Sequence, residues 1–428
     1  MTQVDVLVVG AGAAGIAAAR AVRAAGRSLL VLEARDRAGG RARTDRTTLG
    51  APFDLGATWL HEAGANPLTP LAAGAAPFDH DTVRSHRCCI GDRLATPEEV
   101  ADYDAAYGRF HAILARQRGP GRSAGAGAPR GGPWDATVAH WEGEVICAAP
   151  LDAMDLDDFL DTQLSGPNLL LPGGLGPLLQ GLAADLPLRF GAVVERIDWG
   201  GARIAVEGNF GRVEARAVVV TIPTSLLAAG AIRFDPPLPA ATLQAAHDLP
   251  LGLLSKIGLK AAGPDRLDLP DFGGLERQVA DPADPAMSFV AWPFGQDHVM
   301  GFLGGDAAWA LSGQGVAPLL DHALAELRRA YGGRADRAIR ADVAAMHDWG
   351  ADPFARGSYS HARPGRAGAR RVLGTPLQDG RLGFAGEACH PRYAATLAGA
   401  WDSGLSAAAA ALHATKRDSS GALMPKVS

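Results

Sequence analysis

Three clusters of residues in this sequence have the types and spacing to do chemistry. The first is Gly10-Ala11-Gly12-Ala13-Ala14-Gly15, a G-x-G-x-x-G pattern set between an apolar run and an alanine-rich one. In that setting the glycines suit a pyrophosphate. Gly10 permits a tight turn, Gly12 lets a phosphate approach the backbone, and Gly15 lets helix and strand pack closely. The following helix offers its N–H groups and positive dipole end to the same phosphates. Glu33, closing the next apolar run, can accept hydrogen bonds from ribose hydroxyls. The second cluster, Gly39-Gly40-Arg41, repeats the close approach and adds a guanidinium fork for phosphate. The third is Lys256, alone inside the apolar run Leu251-Gly252-Leu253-Leu254-Ser255-Lys256-Ile257-Gly258-Leu259. A lysine there must snorkel or pair, so an edge-strand reading stands beside a site reading.

The elements that would position these clusters follow from periodicity. Residues 4–9 read as a buried strand, a helix runs to about residue 25 with Gly26 as its stop, and 28–32 is a second strand. Residues 97–117 have helical spacing, and the Gly/Pro/Arg-rich stretch 119–133 reads as a mobile surface segment. Residues 151–161 read as one helix carrying five aspartates, a solvated face or else a mouth that draws in polycations. A helix opens after Pro172-Gly173-Gly174, and strands fall at 186–190, 193–197 and 212–221. Strand-like runs at 287–292 and 299–303 with a helix at 317–331 predict an antiparallel sheet flanked by helices. A strand at 382–385 ends in Gly386-Glu387, and a helix runs from Leu397 to about His413.

Composition sets the outer bounds. The chain has 428 residues, 20% charged and 47% hydrophobic, enough for two or three domains with a sizeable core. A net charge of −5 argues against a nucleic-acid partner. Cys88, Cys89, Cys147 and Cys389 lack zinc spacing, so no metal site and a cytoplasmic location are expected. No basic leader and no run of 18 apolar residues is present, so neither a signal peptide nor a membrane partner is expected.

A nicotinamide fold has no need of the second glycine pair, whereas an extended FAD does. With both glycine clusters in place, the sequence resembles the flavin amine oxidases, the family of monoamine oxidases, polyamine oxidases and flavin histone demethylases. The resemblance implies an α/β fold in which a Rossmann-type FAD-binding domain (1–85, 170–230 and 345–415) is interleaved with an α+β substrate-binding domain (86–169 and 231–344), with 416–428 as a flexible tail. It implies that Gly10, Gly12, Ala13, Gly15, Glu33, Ala34, Arg35, Gly40 and Arg41 hold the nucleotide end, with Val194 offering backbone groups to the adenine. Gly56, Ala57, Thr58, Trp349, Gly386, Glu387, Thr396, Leu397 and Ala400 would then lie along the ribityl chain and flavin ring.

The same resemblance casts Lys256 as the lysine that holds a water at flavin N5 and Tyr359 as one aromatic wall of the amine site. Trp59, His61, Glu62 and Thr396 would face the substrate, with Glu62 as partner for a distal ammonium. Trp59-Leu60-His61-Glu62 and the later Asn66-Pro67 resemble the polyamine oxidase form of the motif. Ser358 stands where monoamine oxidases carry the flavin-linked cysteine, so FAD is expected to be non-covalent. Thr396 stands where the second tyrosine of their cage would be, and Leu397-Ala398 replaces the usual Val-His. The implied reaction is oxidation of the C–N bond of a polyamine of spermine or spermidine type, with O2 as acceptor and hydrogen peroxide as product. The partners are then a small-molecule amine and O2. The alternatives are a monoamine or a secondary or cyclic amine, more distantly a desaturase or porphyrinogen oxidase, and a flavoprotein without catalysis.

Overall fold

The valine-rich strand Thr2–Val9 is buried between two parallel neighbours, Leu29–Leu32 and Gly211–Val220. Both faces of such a strand are covered, which is why its apolar run is nearly continuous. The computed structural model describes residues 2–83 and 85–420, and the chain divides into two compact units. The first comprises the chain up to Ala42, Gly176–Pro250 and the chain from Gly368 on. Among the described residues its sheet has eight strands. Leu188–Arg189 extends it beyond Leu29–Leu32, while Ile204–Gly208, Val194–Asp198 and Arg233–Asp235 extend it beyond Gly211–Val220. Leu382–Phe384 also pairs in parallel with Gly211–Val220. Helix Ala13–Ala24 follows the first strand, and its alanine face packs against helix Leu397–Ser420. That last helix runs past the expected end near 413. Of the expected tail, residues 421–428 lie outside the described residues.

The second unit comprises Arg43–Leu175 and Leu251–Ala367. Its largest sheet runs, in order, Ile339–Met346, Leu254–Ala261, His298–Gly304, Ser288–Ala291, Gly273–Arg277, Ser85–Ile90 and Arg93–Leu94. The expected antiparallel pattern holds except between Gly273–Arg277 and Ser85–Ile90, which pair in parallel. Helix Val316–Tyr331 buries Leu319, Leu320, Ala323, Leu324 and Leu327 in this unit's core. Helix Pro97–Arg116 starts at a capping box, with Thr96 and Glu99 each holding the other's backbone N–H. No helix among the described residues is long and apolar enough to cross a membrane.

The unit boundaries depart from the expected 1–85, 170–230 and 345–415. Thr44–Asp45 pairs with Phe53–Asp54 and Ser85–Ile90 joins the second unit's sheet, so the first unit ends at Ala42 rather than at residue 85. Helix Ala240–Asp248 stays with the first unit, where the Thr224 hydroxyl donates to Leu249 O at 2.6 Å. Tyr359–Ser360 pairs with Leu251–Gly252, which keeps the 345–367 region in the second unit.

The aspartates of 151–161 do not form a solvated face along one helix. The segment breaks into a 3-10 turn, Leu151–Ala153, and a helix, Leu156–Asp161, because Asp155 caps the second piece. Asp155 Oδ1 accepts from the N–H groups of Asp157 and Asp158 at 2.9 and 3.1 Å, and its Oδ2 accepts from Gly365 N at 2.6 Å. Asp158 accepts from Ala362 N at 3.0 Å, Asp157 from Gly119 N at 3.1 Å, and Asp161 pairs with Arg118 at 2.7 Å. These bonds fasten 119–133 as well, where Ala124 is fully buried and donates its N–H to Met154 O at 2.9 Å. The stretch is therefore a packed connection, and its acids hold chain rather than wait for cations.

Asp155 is 2% exposed and serves three N–H groups, so Asp155→Ala leaves buried donors unpaired. A loss of about 3 kcal/mol is expected. Urea unfolding measures it, with flavin content expected to be unchanged.

Candidate active site

In the first unit the two glycine clusters form one cradle. A Cβ at Gly15 would lie 1.9 Å from Gly10 O, so only glycine lets the helix start this close to the turn. Gly12 is the N-cap, no side chain caps the helix, and its first turn carries no acid. Such a helix start suits phosphate. Glu33 is 6% exposed and its carboxylate bridges the turn to the next loop, accepting from Ala11 N at 2.7 Å and Arg35 N at 2.9 Å. Gly39 N donates to Ala11 O at 2.8 Å, which joins the second glycine pair to the first. Gly191 N and Ala192 N donate to Arg35 O and Glu33 O, both at 2.9 Å, so the approach to Val194 runs beside Glu33-Ala34-Arg35.

Arg41 Nη1 meets Glu387 Oε1 at 3.1 Å, and the other Glu387 oxygen accepts from Ala395 N at 3.1 Å. This pair brings Gly386 and Glu387 to the glycine cradle. Thr396 begins the helix that carries Leu397 and Ala400. Its hydroxyl donates to Tyr393 O at 2.7 Å and accepts from Gly399 N at 3.0 Å. That engagement is a cap, so the hydroxyl expected to face substrate is held within its own turn. Arg37, absent from the sequence reading, donates to Gly40 O at 2.8 Å and steadies the second glycine turn. Its nearness to the glycine pair was the only signal available.

In the second unit a cluster of polar groups and rings surrounds Lys256, which is 4% exposed. Its ammonium donates to Asp54 O at 2.9 Å, to Gly56 O at 2.5 Å and to the Thr58 hydroxyl. Trp349 Nε1 donates to Leu55 O, the carbonyl between those two, at 2.8 Å. The rings of Phe53, Trp59 and Phe302 lie 6.0, 5.8 and 5.8 Å from Nζ. Burial pulls the lysine pKa down to about 8, against a smaller opposing effect of the Asp54 charge. At pH 7 the cation still predominates, and an ammonium has three N–H groups. All three serve the 54–58 segment, so Lys256 holds the Gly56-Ala57-Thr58 backbone where a water-holding role was expected.

Trp59 continues that segment, pairing with Leu170, and stacks on His61 at 6.3 Å and 29°. His61 Nδ1 lies 2.7 Å from Asn168 Oδ1, and the Asn168 amide donates to Asp81 Oδ2 at 2.9 Å. The amide oxygen can only accept, so Nδ1 carries the proton and Nε2 presents a lone pair. Burial lowers the His61 pKa, against smaller raising effects of Asn168, Asp81 and Glu62. The ring is thus a neutral acceptor at pH 7. Glu62 takes a different role from the one expected. It has a left-handed backbone, φ 48, and its carboxylate accepts from Ser165 N and the Ser165 hydroxyl at 2.9 and 3.2 Å. It closes a loop between residue 62 and Ser165. Asn66 donates to His61 O at 2.9 Å and fixes the turn before Pro67.

Tyr359 lies on the strand paired with Leu251–Gly252, and its hydroxyl donates to Ile146 O at 2.9 Å. The Ser358 hydroxyl accepts from Leu254 N at 2.9 Å and donates to Leu254 O at 3.2 Å. A further row escaped the sequence reading. Arg43 Nη1 lies 2.7 Å from His347 Nδ1, His347 Nε2 lies 2.7 Å from Asp352, and the His347 ring meets Trp349 at 4.2 Å. A donor-only arginine on one side and an acceptor-only carboxylate on the other fix the tautomer of His347.

The sequence profile of the flavin containing amine oxidoreductases matches residues 13–112 and 122–412. Among curated proteins, the chain is 31% identical to the rice (Oryza sativa subsp. japonica) lysine-specific histone demethylase 1 homolog 3, over 96% of this chain and 54% of that protein. It is 29% identical to homolog 2 of Arabidopsis thaliana, over 96% of this chain and 59% of that protein. The chain thus spans little more than half the length of these relatives. Among solved structures, wild-type putrescine oxidase with putrescine bound superposes with a TM-score of 0.72 at 22% identity, covering 96% of this chain and 99% of that one. The uncapped helix start and the glycine cradle fit the phosphates of FAD, the cofactor that membership of this profile implies.

With serine at position 358 and its hydroxyl engaged by Leu254, the flavin is expected to be held without a covalent bond. Acid precipitation of the purified yellow protein should leave all the colour in the supernatant. Colour retained in the pellet would contradict this.

Proposed function

This chain belongs to the flavin containing amine oxidoreductases, and on that footing we propose that it oxidises a C–N bond of an aliphatic polyamine of spermine or spermidine type. Bound FAD supplies the hydride acceptor. The resulting imine adds water to give an aldehyde and a shorter amine, and O2 is the final acceptor, leaving as hydrogen peroxide. The reading is supported above all by the Asp81–Asn168–His61 chain beside Trp59. It presents a neutral nitrogen lone pair to an amine N–H. A neutral acceptor matters here, because hydride loss needs a free lone pair on the reacting nitrogen. A carboxylate in the same place would favour the protonated amine. The indole face of Trp59 and the ring of Tyr359 suit the cationic nitrogens elsewhere in a polyamine. A second reading, N-methylated lysine side chains, is favoured by the names of the plant relatives.

Anaerobic mixing with spermine, spermidine, a monoamine and an N-methyl-lysine peptide tests the proposal through loss of flavin absorbance. Bleaching by the polyamines is expected to be fastest, and to quicken from pH 6 to pH 9 as the reacting nitrogen loses its proton. Asn168→Ala should lower kcat/KM for the preferred amine about tenfold, near 1.4 kcal/mol, because the His61 tautomer is no longer fixed. Bleaching by the peptide alone would transfer the assignment to the second reading. A pH-independent rate would remove the neutral-amine requirement.

A further inference from the structure

Glu144 has no part in the chemistry above, and its setting is unusual for an acid. It lies in Trp141–Cys147, a π-helix, and is 7% exposed. Turns of this kind are rare and recur at functional sites. The backbone N–H of Asp306 lies beside the carboxyl and favours its ionised form, while Oε2 is buried with no hydrogen-bond partner among the described residues. The corner after strand His298–Gly304 is shaped around this side chain. A Cβ at Gly305, φ +62, would lie 1.2 Å from Oε2, and one at Gly304 would lie 1.6 Å from Glu144 O. Two residues further on, Ile146 O receives the Tyr359 hydroxyl at 2.9 Å, and Ala148 O receives Leu253 N at 3.0 Å.

We propose that Glu144 is a positioning residue for the amine site: its carboxylate fastens the π-helix to the 304–306 corner and thereby sets the Ile146 carbonyl that orients Tyr359. The inference rests on the reading that Tyr359 walls the amine. The fastening is sensitive to pH. Burial, then the charge of Asp306, hold the Glu144 pKa up at about 7. The other titratable groups on elements packed against the π-helix are engaged elsewhere. His140 meets Pro282 O and Ala286 O, Asp135 accepts from Gly132 N, Asp152 meets the Ser123 hydroxyl, and His298 lies edge-on to Phe53. On the π-helix itself, Glu142 faces His111 at 3.5 Å. A carboxyl whose folded pKa is raised contributes stability that is full below its unfolded pKa and lost as pH rises through the folded one. The stability that the protonated side chain contributes is therefore greatest in acidic solution, falls as pH rises toward about 7 and is lost above it, because ionisation charges a buried group.

The test uses the holoenzyme as wild type, Glu144→Gln, Glu144→Ala, Tyr359→Phe and the Glu144→Ala/Tyr359→Phe double variant. Without amine, the wild-type melting temperature should fall by about 2–3 °C more than that of Glu144→Gln between pH 6 and 8.5. With amine, the wild-type to Glu144→Gln affinity ratio should shift about threefold over the same range, a comparison in which deprotonation of the amine itself cancels. Glu144→Ala should raise KM about tenfold with a smaller effect on the limiting rate of flavin reduction. Adding Tyr359→Phe to it should cost nothing further. Equal pH slopes for wild type and Glu144→Gln, or losses that multiply in the double variant, overturn the proposal. If no amine reduces the flavin, the functional reading fails, while the melting comparison still decides the role of Glu144. If Glu144→Ala does not fold, Glu144→Gln carries both measurements.

Discussion

A single buried cation organises the second unit. Lys256 sits in the middle of an apolar strand, and a charge there is tolerated only when its N–H groups all find acceptors. They find them in Asp54 O, Gly56 O and the Thr58 hydroxyl, and Trp349 takes the carbonyl between the first two, Leu55 O. The 54–58 backbone is thus folded around the ammonium. Its direction settles where Trp59 and His61 emerge, because the short strand Trp59–Leu60 and then His61 follow it directly in the chain. Phe53 and Phe302 close the surroundings of the charge with ring faces rather than water.

The acids of this unit complement that arrangement by binding backbone. Asp54 accepts from Leu175 N at 3.0 Å, Asp155 and Asp158 hold the loops that reach Gly365 and Ala362, and Glu62 holds Ser165. Asp81 acts through Asn168, which passes its orientation to His61, and the raising effect of its charge is outweighed by burial. The outcome is a ring nitrogen that is polar and neutral, the character that the proposed amine oxidation calls for. A carboxylate there would bind an ammonium more tightly but would hold it in the form that cannot release a hydride.

The glycine cradle of the first unit was legible because its signals are local. The Gly10–Gly15 turn, Glu33 and the Gly39-Gly40-Arg41 element each lie within a few residues of the elements that use them. The predicted strand at 28–32 is found as Leu29–Leu32, and the predicted helix at 317–331 as Val316–Tyr331. Lys256 stood out by the cost of burying it, although its partners could not be read from spacing. The surroundings of His61 were less legible. Asn168 and Asp81 are distant in sequence from His61, and nothing in an asparagine or an aspartate announces a relay. Glu62 was assigned because it follows closely on the Gly56–Trp59 segment, yet a left-handed backbone takes its carboxylate to Ser165. The five aspartates at 152–161 looked like a charged face because composition does not reveal which N–H groups need an acceptor. Glu144 was passed over for the opposite reason, since only folding makes it a buried acid.

The most direct test is amide hydrogen exchange of the 54–60 region in the wild-type holoenzyme and in Lys256→Met. Methionine keeps the length and apolar stem of the side chain but donates nothing, so two carbonyls and a hydroxyl lose their partner. Local opening should become easier by about 2–3 kcal/mol, which is roughly a 30- to 150-fold faster exchange at Thr58, Trp59 and Leu60. Amides of the first unit's sheet should be unaffected, and flavin reduction by amine should slow in step with the loosening. Unchanged protection of 54–60 in Lys256→Met would contradict the account, because the segment would then be held by something other than the buried cation.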